Sequence, residues 1–190
     1  MTPNQAVSEI ARLYNQYGGN HYDEDVNQIQ HAVQAGRLAL DEGYSEEVAL
    51  AAFLHDIGHM TIEEAVEEEQ HDAMYRHQLV GAQLLRDYGF SETVARLVEY
   101  HVAGKRYLTA VDPAYKNGLS QASITSLAFQ GGPMEEAEVE AFDELEDRDL
   151  HIRIRHWDDL AKNPNDQDLD MQPFFDMALK HLEARAGQEQ

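Results

Sequence analysis

An all-α helical bundle is the fold class that the sequence predicts, and three observations carry it. Apolar residues recur every three to four positions along most of the 190 residues. No stretch alternates apolar and polar residues with the period of a half-buried strand. Stop-then-cap signals punctuate the chain, as at Gly43 before Ser45 and at Gly89-Phe90-Ser91.

Thr2-Pro3 is a cap followed by proline in the first turn. It opens a helix over 3–16 with Val7, Ile10, Leu13 and Tyr14 on one face, and Gly18-Gly19-Asn20 ends it. A second helix over 25–42 turns Ile29, Val33, Gly36, Leu38 and Leu40 toward the core, and Gly43 follows its end. Ser45-Glu46-Glu47 is a cap with acids in the first turn. It opens a short apolar helix, Val48 to Leu54, that runs out in His55-Asp56-Ile57-Gly58-His59. The acidic stretch 61–72 reads as a solvated helix or a flap. Helices follow near 76–88 and 91–103, and Gly104, Pro113, Asn117 and Gly118 predict irregular chain over 104–119. A helix near 120–129 stops at Gln130-Gly131-Gly132, and Pro133 begins another. Helices near 146–160 and 172–186 complete the pattern, joined by the turn Asn163-Pro164-Asn165-Asp166. No repeat or composition break divides the chain, so one domain is expected over 1–190.

Charge narrows the function classes. Lys plus Arg number 14 against 36 Asp plus Glu, a formal charge of −22. A duplex-binding protein needs a basic face to displace counterions, and an anionic membrane attracts basic segments. Neither nucleic acid nor membrane is therefore an expected partner. No apolar run approaches the roughly 18 residues of a spanning helix. Residues 1–16 show neither the basic flank nor the apolar stretch of a signal peptide, so a cytoplasmic location is expected. The absence of Cys excludes disulfides and thiolate metal ligands. Ten His in so acidic a chain stand out, because imidazole is a common borderline metal ligand.

Those histidines have an order. His55 and Asp56 are adjacent at a helix end; His31 lies 24 residues before His55, His77 lies 21 after Asp56, and His101 lies 24 after His77. Asp158 follows on a later helix. Each falls on a different predicted helix, so several helices can point ligands into one bundle core. A carboxylate has two oxygens and can bridge two cations about 3.5–4 Å apart. Singly, each His reads more simply as a core or surface residue. His71, His151, His156 and His181 are assigned to structure or surface, and Trp157 to the core or a pocket wall.

The full order His31, His55-Asp56, His77, His101, Asp158 resembles the HD-domain superfamily, all-α metalloproteins named for their His-Asp pair. His31, His55, Asp56 and Asp158 are enough for a mononuclear phosphohydrolase of that superfamily; His77 and His101 imply a second metal. The segments Leu50–Asp56, His101–Leu108 and Gln130–Met134 are similar to the PhnZ-type subgroup, mixed-valent di-iron oxygenases that cleave carbon–phosphorus bonds. A TmpB-type enzyme that acts on the trimethylammonio relative of the same substrate is grouped with them. The similarity runs over approximately residues 20–185.

The resemblance implies two Fe ions in the Fe(II)/Fe(III) state. His31, His55, Asp56 and Asp158 would hold one, and Asp56, His77 and His101 the other, with Asp56 bridging. Ligation by His and carboxylate alone suits iron, manganese, cobalt and zinc alike; iron comes from the resemblance. His59, Lys105, Ser123 and Arg155 match phosphonate-binding positions, where a dianion needs charge-assisted donors. Taken alone, Lys105 and Arg155 read as charges paired with the abundant carboxylates. Glu24 and Gln30 match positions near the substrate amine, and Glu24, His59 and Lys105 are the residues expected to serve catalysis. One departure is visible: the subgroup's lid tyrosine is replaced by His21, with Tyr22 beside it, in a candidate lid over 17–25.

The segment His21-Tyr22-Asp23-Glu24-Asp25, with Tyr14 and Tyr17 upstream, supplies acids and aromatic faces that suit a quaternary ammonium. The expected partners are thus O2 and a small organophosphonate. The expected reaction is cleavage of (R)-1-hydroxy-2-(trimethylammonio)ethylphosphonate to glycine betaine and phosphate. The free-amine substrate, giving glycine, is the alternative, and a dimetal phosphohydrolase is the reading that the ligands alone allow.

Overall fold

The computed structural model of the chain describes residues 1–21, 25–64 and 76–188. All regular structure among them is helical. In chain order the helices are α1 (Pro3–Tyr17), α2 (Gln28–Asp41), α3 (Glu46–Leu54), α4 (Ile57–Glu64), α5 (His77–Asp87), α6 (Glu92–Val111), α7 (Pro113–Gly118), α8 (Gln121–Phe129), α9 (Glu136–Asp143), α10 (Arg148–Leu160) and α11 (Gln172–Ala186). No helix of the described residues is long and apolar enough to cross a membrane.

The centre is α3. The Ser45 side chain accepts from Val48 N at 3.3 Å, and Glu46 and Glu47 sit at the positive end of the helix dipole. Every residue from Val48 to Leu54 is buried, which fits a helix that is apolar all round. It packs on α2, α6, α10 and α11. Phe53 stacks on Phe174 with centroids 4.5 Å apart and on Tyr14 at 4.9 Å. Tyr14 donates its hydroxyl to the Phe53 carbonyl at 2.7 Å, which satisfies a buried polar tip. Trp157 is fully buried and meets Tyr44 edge-on.

Four departures from the sequence-based expectation have clear causes. The His55-Asp56 pair does not trail off α3; a new helix, α4, starts at Ile57. The span 104–119 is not irregular. Helix α6 continues through Gly104 to Val111, because that glycine faces α10: a Cβ there would stand 3.0 Å from the His151 carbonyl oxygen. Pro113 then starts α7 instead of breaking the chain, with the Asp112 carboxylate accepting from Ala114 N and Tyr115 N. Pro133, by contrast, lies in a turn. Gly131 and Gly132 both have positive φ, Met134 N donates to Arg106 O, and α9 begins only at Glu136. Most of the acidic stretch 61–72, including His71, lies outside the described residues.

The positions around the site are set by close packing. A Cβ on Gly58 would lie 1.9 Å from the His77 carbonyl oxygen, so α4 and α5 cross with backbone against backbone. This crossing brings His77, the first residue of α5, toward Asp56. On the opposite side, Gln34 of α2 pairs with the backbone of Asn163 in both directions, at 3.0 and 2.9 Å. That pairing seats the segment after α10 against α2.

Candidate metal centre

His31 comes from α2, His55 and Asp56 from the α3–α4 junction, His77 from α5, His101 from α6 and Asp158 from α10. His31, Asp56, His77, His101 and Asp158 line one cavity of about 580 Å³, and His55 lies beside His31 and Asp56. Asp56 faces two groups with its two oxygens. Oδ2 lies 3.7 Å from Nε2 of both His31 and His55. Oδ1 lies 3.2 Å from His77 Nε2 and 3.6 Å from His101 Nε2. Asp158 joins the first group, with Oδ1 3.4 Å from His31 Nε2 and Oδ2 3.9 Å from His55 Nε2.

The imidazoles show that these groups fit cations. His31 Nε2 and His55 Nε2 face each other at 3.1 Å, and His77 Nε2 and His101 Nε2 at 3.0 Å. The Nδ1 atoms of His31, His55 and His101 lie against the carbonyl oxygens of Ala161 (2.9 Å), Ala52 (2.7 Å) and Val98 (2.7 Å). A carbonyl only accepts, so each Nδ1 carries the proton and donates it. When both rings are neutral, the Nε2 atoms of His31 and His55 present lone pairs to one another. A cation between them turns that repulsion into ligation, and the backbone carbonyls fix the ligating tautomer. Burial lowers the His31 pKa, but Asp158 and Asp56 outweigh it and raise it, so a proton competes with a cation for that position.

Electrostatics agree. Burial raises the Asp56 carboxyl, but the surrounding imidazoles outweigh it and hold it well below the usual range. Burial acts likewise on Asp158, where Arg155 and His31 outweigh it. Both stay anionic. Burial pushes His55 and His101 down, which favours neutral imidazoles. His59 is driven to about 3 by burial and then by His77, whose ring it stacks on at 3.8 Å. It therefore offers the cavity a neutral N–H, not a cation.

Above the ligands the lining changes sign. The charged residues of the described lining, apart from Asp56 and Asp158, are Lys105, Arg155 and Lys162. Lys105 is buried one turn after His101 and donates from Nζ to Ser126 Oγ at 3.0 Å. Burial, reinforced by Arg155, pushes its ammonium down to about 8. Arg155 is buried too, and donates from Nη1 to Asp158 Oδ2 at 2.5 Å. In a chain of charge −22 this cavity pairs two ligand carboxylates with three cations. Two metal ions held there would make it strongly electropositive, which suits an anion.

The expected phosphonate-contacting residues His59, Lys105, Ser123 and Arg155 all line this cavity. Gln30 does not; its side chain closes a capping box with Asn27 and donates to Asp166 O at 3.3 Å. His21 is exposed, and Tyr22 and Glu24 lie outside the described residues. Several lining residues escaped the sequence reading, among them Lys162, Ser126 and Gln28. Ser126 lies one turn after Ser123 on α8, a spacing visible in the sequence. Gln28 is buried on the lining with an unpartnered Oε1, and nothing local marks it. Of the histidines assigned to structure or surface, His151 stacks on Tyr100 and His181 accepts from Ser91 N at 3.1 Å, while His71 lies outside the described residues.

The HD domain family matches residues 26–162. The hydroxymethylphosphonate dioxygenase of Gimesia maris is 40% identical over 162 residues, covering 85% of this chain and 80% of that protein. The [1-hydroxy-2-(trimethylamino)ethyl]phosphonate dioxygenase (glycine-betaine-forming) of Leisingera caerulea is 34% identical over 182 residues, covering 95% and 92%.

Proposed function

The chain belongs to the HD-domain family, and on that premise we propose that it is an O2-dependent di-iron oxygenase that cleaves the C–P bond of a 1-hydroxyphosphonate. The observation that carries this reading is the pair of histidine groups joined by the two oxygens of Asp56 beneath a cationic lining. A phosphohydrolase would use the same ligands, but both named relatives are phosphonate dioxygenases.

His31, His55, Asp56 and Asp158 would hold one iron, and Asp56, His77 and His101 the other, as an Fe(II)/Fe(III) pair. The irons would supply O2 activation and a Lewis-acid seat for substrate oxygens. The chain does the rest. Lys105 and Arg155 neutralise the phosphonate dianion, and His59 and Ser123 add uncharged donors. Fixing the anion orients C1 over the metal pair, and the buried floor keeps competing reductants away from it.

The overall reaction balances as R–CH(OH)–PO3(2−) + O2 → R–COO(−) + HPO4(2−) + H(+). One C–P and one C–H bond break; C–O and P–O bonds form. Substrate supplies all four electrons, so no external reductant is consumed. For the trimethylammonio substrate, R is (CH3)3N(+)CH2 and the product is glycine betaine. Support for this substrate comes from the relative matched over 95% of the chain and from the acidic, tyrosine-containing segment 21–25.

The test compares phosphate release by iron-reconstituted protein, in air and anaerobically, from four compounds. These are the trimethylammonio substrate, its free-amine analogue, hydroxymethylphosphonate and a phosphomonoester. O2-dependent release, with the highest kcat/KM on the trimethylammonio compound, is expected. A higher kcat/KM on either other phosphonate reassigns R, and O2-independent release from the ester alone overturns the oxygenase.

A further inference from the structure

Arg155 is held from the side remote from the metal ligands. Its Nε donates to the Tyr115 hydroxyl at 2.9 Å and to Asp159 Oδ2 at 3.0 Å, and its Nη2 donates to Asp159 Oδ1. Tyr115 closes the triangle by donating to Asp159 Oδ2 at 2.7 Å. The opposite nitrogen, Nη1, donates to Asp158. A guanidinium has five N–H groups in one plane. These contacts use one on each nitrogen and leave one on Nη1 and one on Nη2. Arg155 lines the active-site cavity, whereas Tyr115 and Asp159 do not; they line a second cavity of about 410 Å³ behind it.

We propose that Tyr115 and Asp159 are positioning residues that lock the plane of Arg155, so that one guanidinium holds the outer oxygen of Asp158 and presents its remaining N–H groups to an oxyanion in the cavity. Two carboxylates compete for this arginine. Without Asp159, Asp158 is its only anionic partner, and the fork can swing to engage Asp158 with both terminal nitrogens. The N–H groups offered to the cavity would then be spent on the ligand. Asp159 prevents this by occupying the far edge of the fork, and Tyr115 fixes Asp159 against that edge. This inference deepens the proposed function by assigning how its anion site is built.

Inorganic phosphate, the product anion, is the probe, titrated calorimetrically under anaerobic conditions into proteins of matched metal content. Tyr115→Phe keeps the ring and removes both hydroxyl contacts; phosphate affinity is expected to fall about fivefold. Asp159→Asn keeps the shape and removes the charge; a loss of about tenfold or more is expected. Tyr115→Phe alone decides if Asp159→Asn fails to fold. Phosphate affinity within twofold of wild type in the tyrosine variant, even with a lower melting temperature, would make the pair merely structural and overturn the inference. Wild-type protein without measurable phosphate affinity would overturn it too. Because the probe is phosphate, failure of every phosphonate to turn over would overturn the proposed function while this readout still judges the clamp.

Discussion

His31, His55 and Asp158 are each braced from behind, by the carbonyls of Ala161 and Ala52 and by Arg155. The His77–His101 group meets Asp56 differently, through a crossing of α4 and α5 where Gly58 leaves no room for a single methyl. Hydrogen bonds brace His31, His55 and Asp158 in the first group, whereas in the second the Val98 carbonyl braces His101 and backbone proximity places His77. The two therefore fail in different ways. Loss of one brace costs a fraction of the first group's affinity, whereas one added carbon displaces the second group's helix.

Asp56 belongs to both groups, so its substitution has the largest effect. Asp56→Asn should remove both ions and lower turnover by about three orders of magnitude. Metal analysis near zero ions per chain checks this, and two retained ions would contradict the bridging geometry. Gly58→Ala should separate the groups. The new Cβ clashes with the His77 carbonyl, so metal content is expected to fall from two ions per chain toward one, with the His31–His55 group still loaded. Equal loss from both groups would erase the contrast.

The anion end of the cavity responds to pH. The Lys105 ammonium is present below about pH 8 and lost as pH rises through it. KM for the phosphonate should therefore rise above about pH 8 with little change in kcat. Lys105→Arg should flatten that limb, since guanidinium does not titrate there; an unchanged profile would remove Lys105 from anion binding. The smallest effect is expected from Gln34→Leu, which frees the Asn163 backbone and slackens the segment that presents Ala161 to His31. A cost of about 1 kcal/mol corresponds to a melting temperature lower by roughly 2–4 °C. A thermal melt reads it directly.

What the sequence disclosed follows the range of the interactions. The convergence of His31, His55, Asp56, His77, His101 and Asp158 was legible because these are chemically distinctive residues spread over four helices and one helix junction, and α3 was legible from the Ser45 cap and its apolar run. Helix α7 was hidden because proline both breaks and begins helices; the Asp112 carboxylate that decides the matter acts through two backbone N–H groups. The passage of α6 through Gly104 depends on α10 lying against it, a tertiary fact that overrides propensity. Tyr115 and the carbonyl of Ala161 gain their roles only when separate helices meet, and no local pattern announces them. Gln30 follows a different course: it sits beside His31 in sequence, and the capping box takes its side chain.

The most direct test of the central claim is the ratio of O2 consumed to phosphate released, followed in one vessel with iron-reconstituted protein and the trimethylammonio phosphonate. The balanced reaction predicts one O2 per phosphate, with no added reductant and no phosphate once O2 is exhausted. Phosphate released without O2 uptake would contradict the account and identify the two metal groups as a hydrolytic centre.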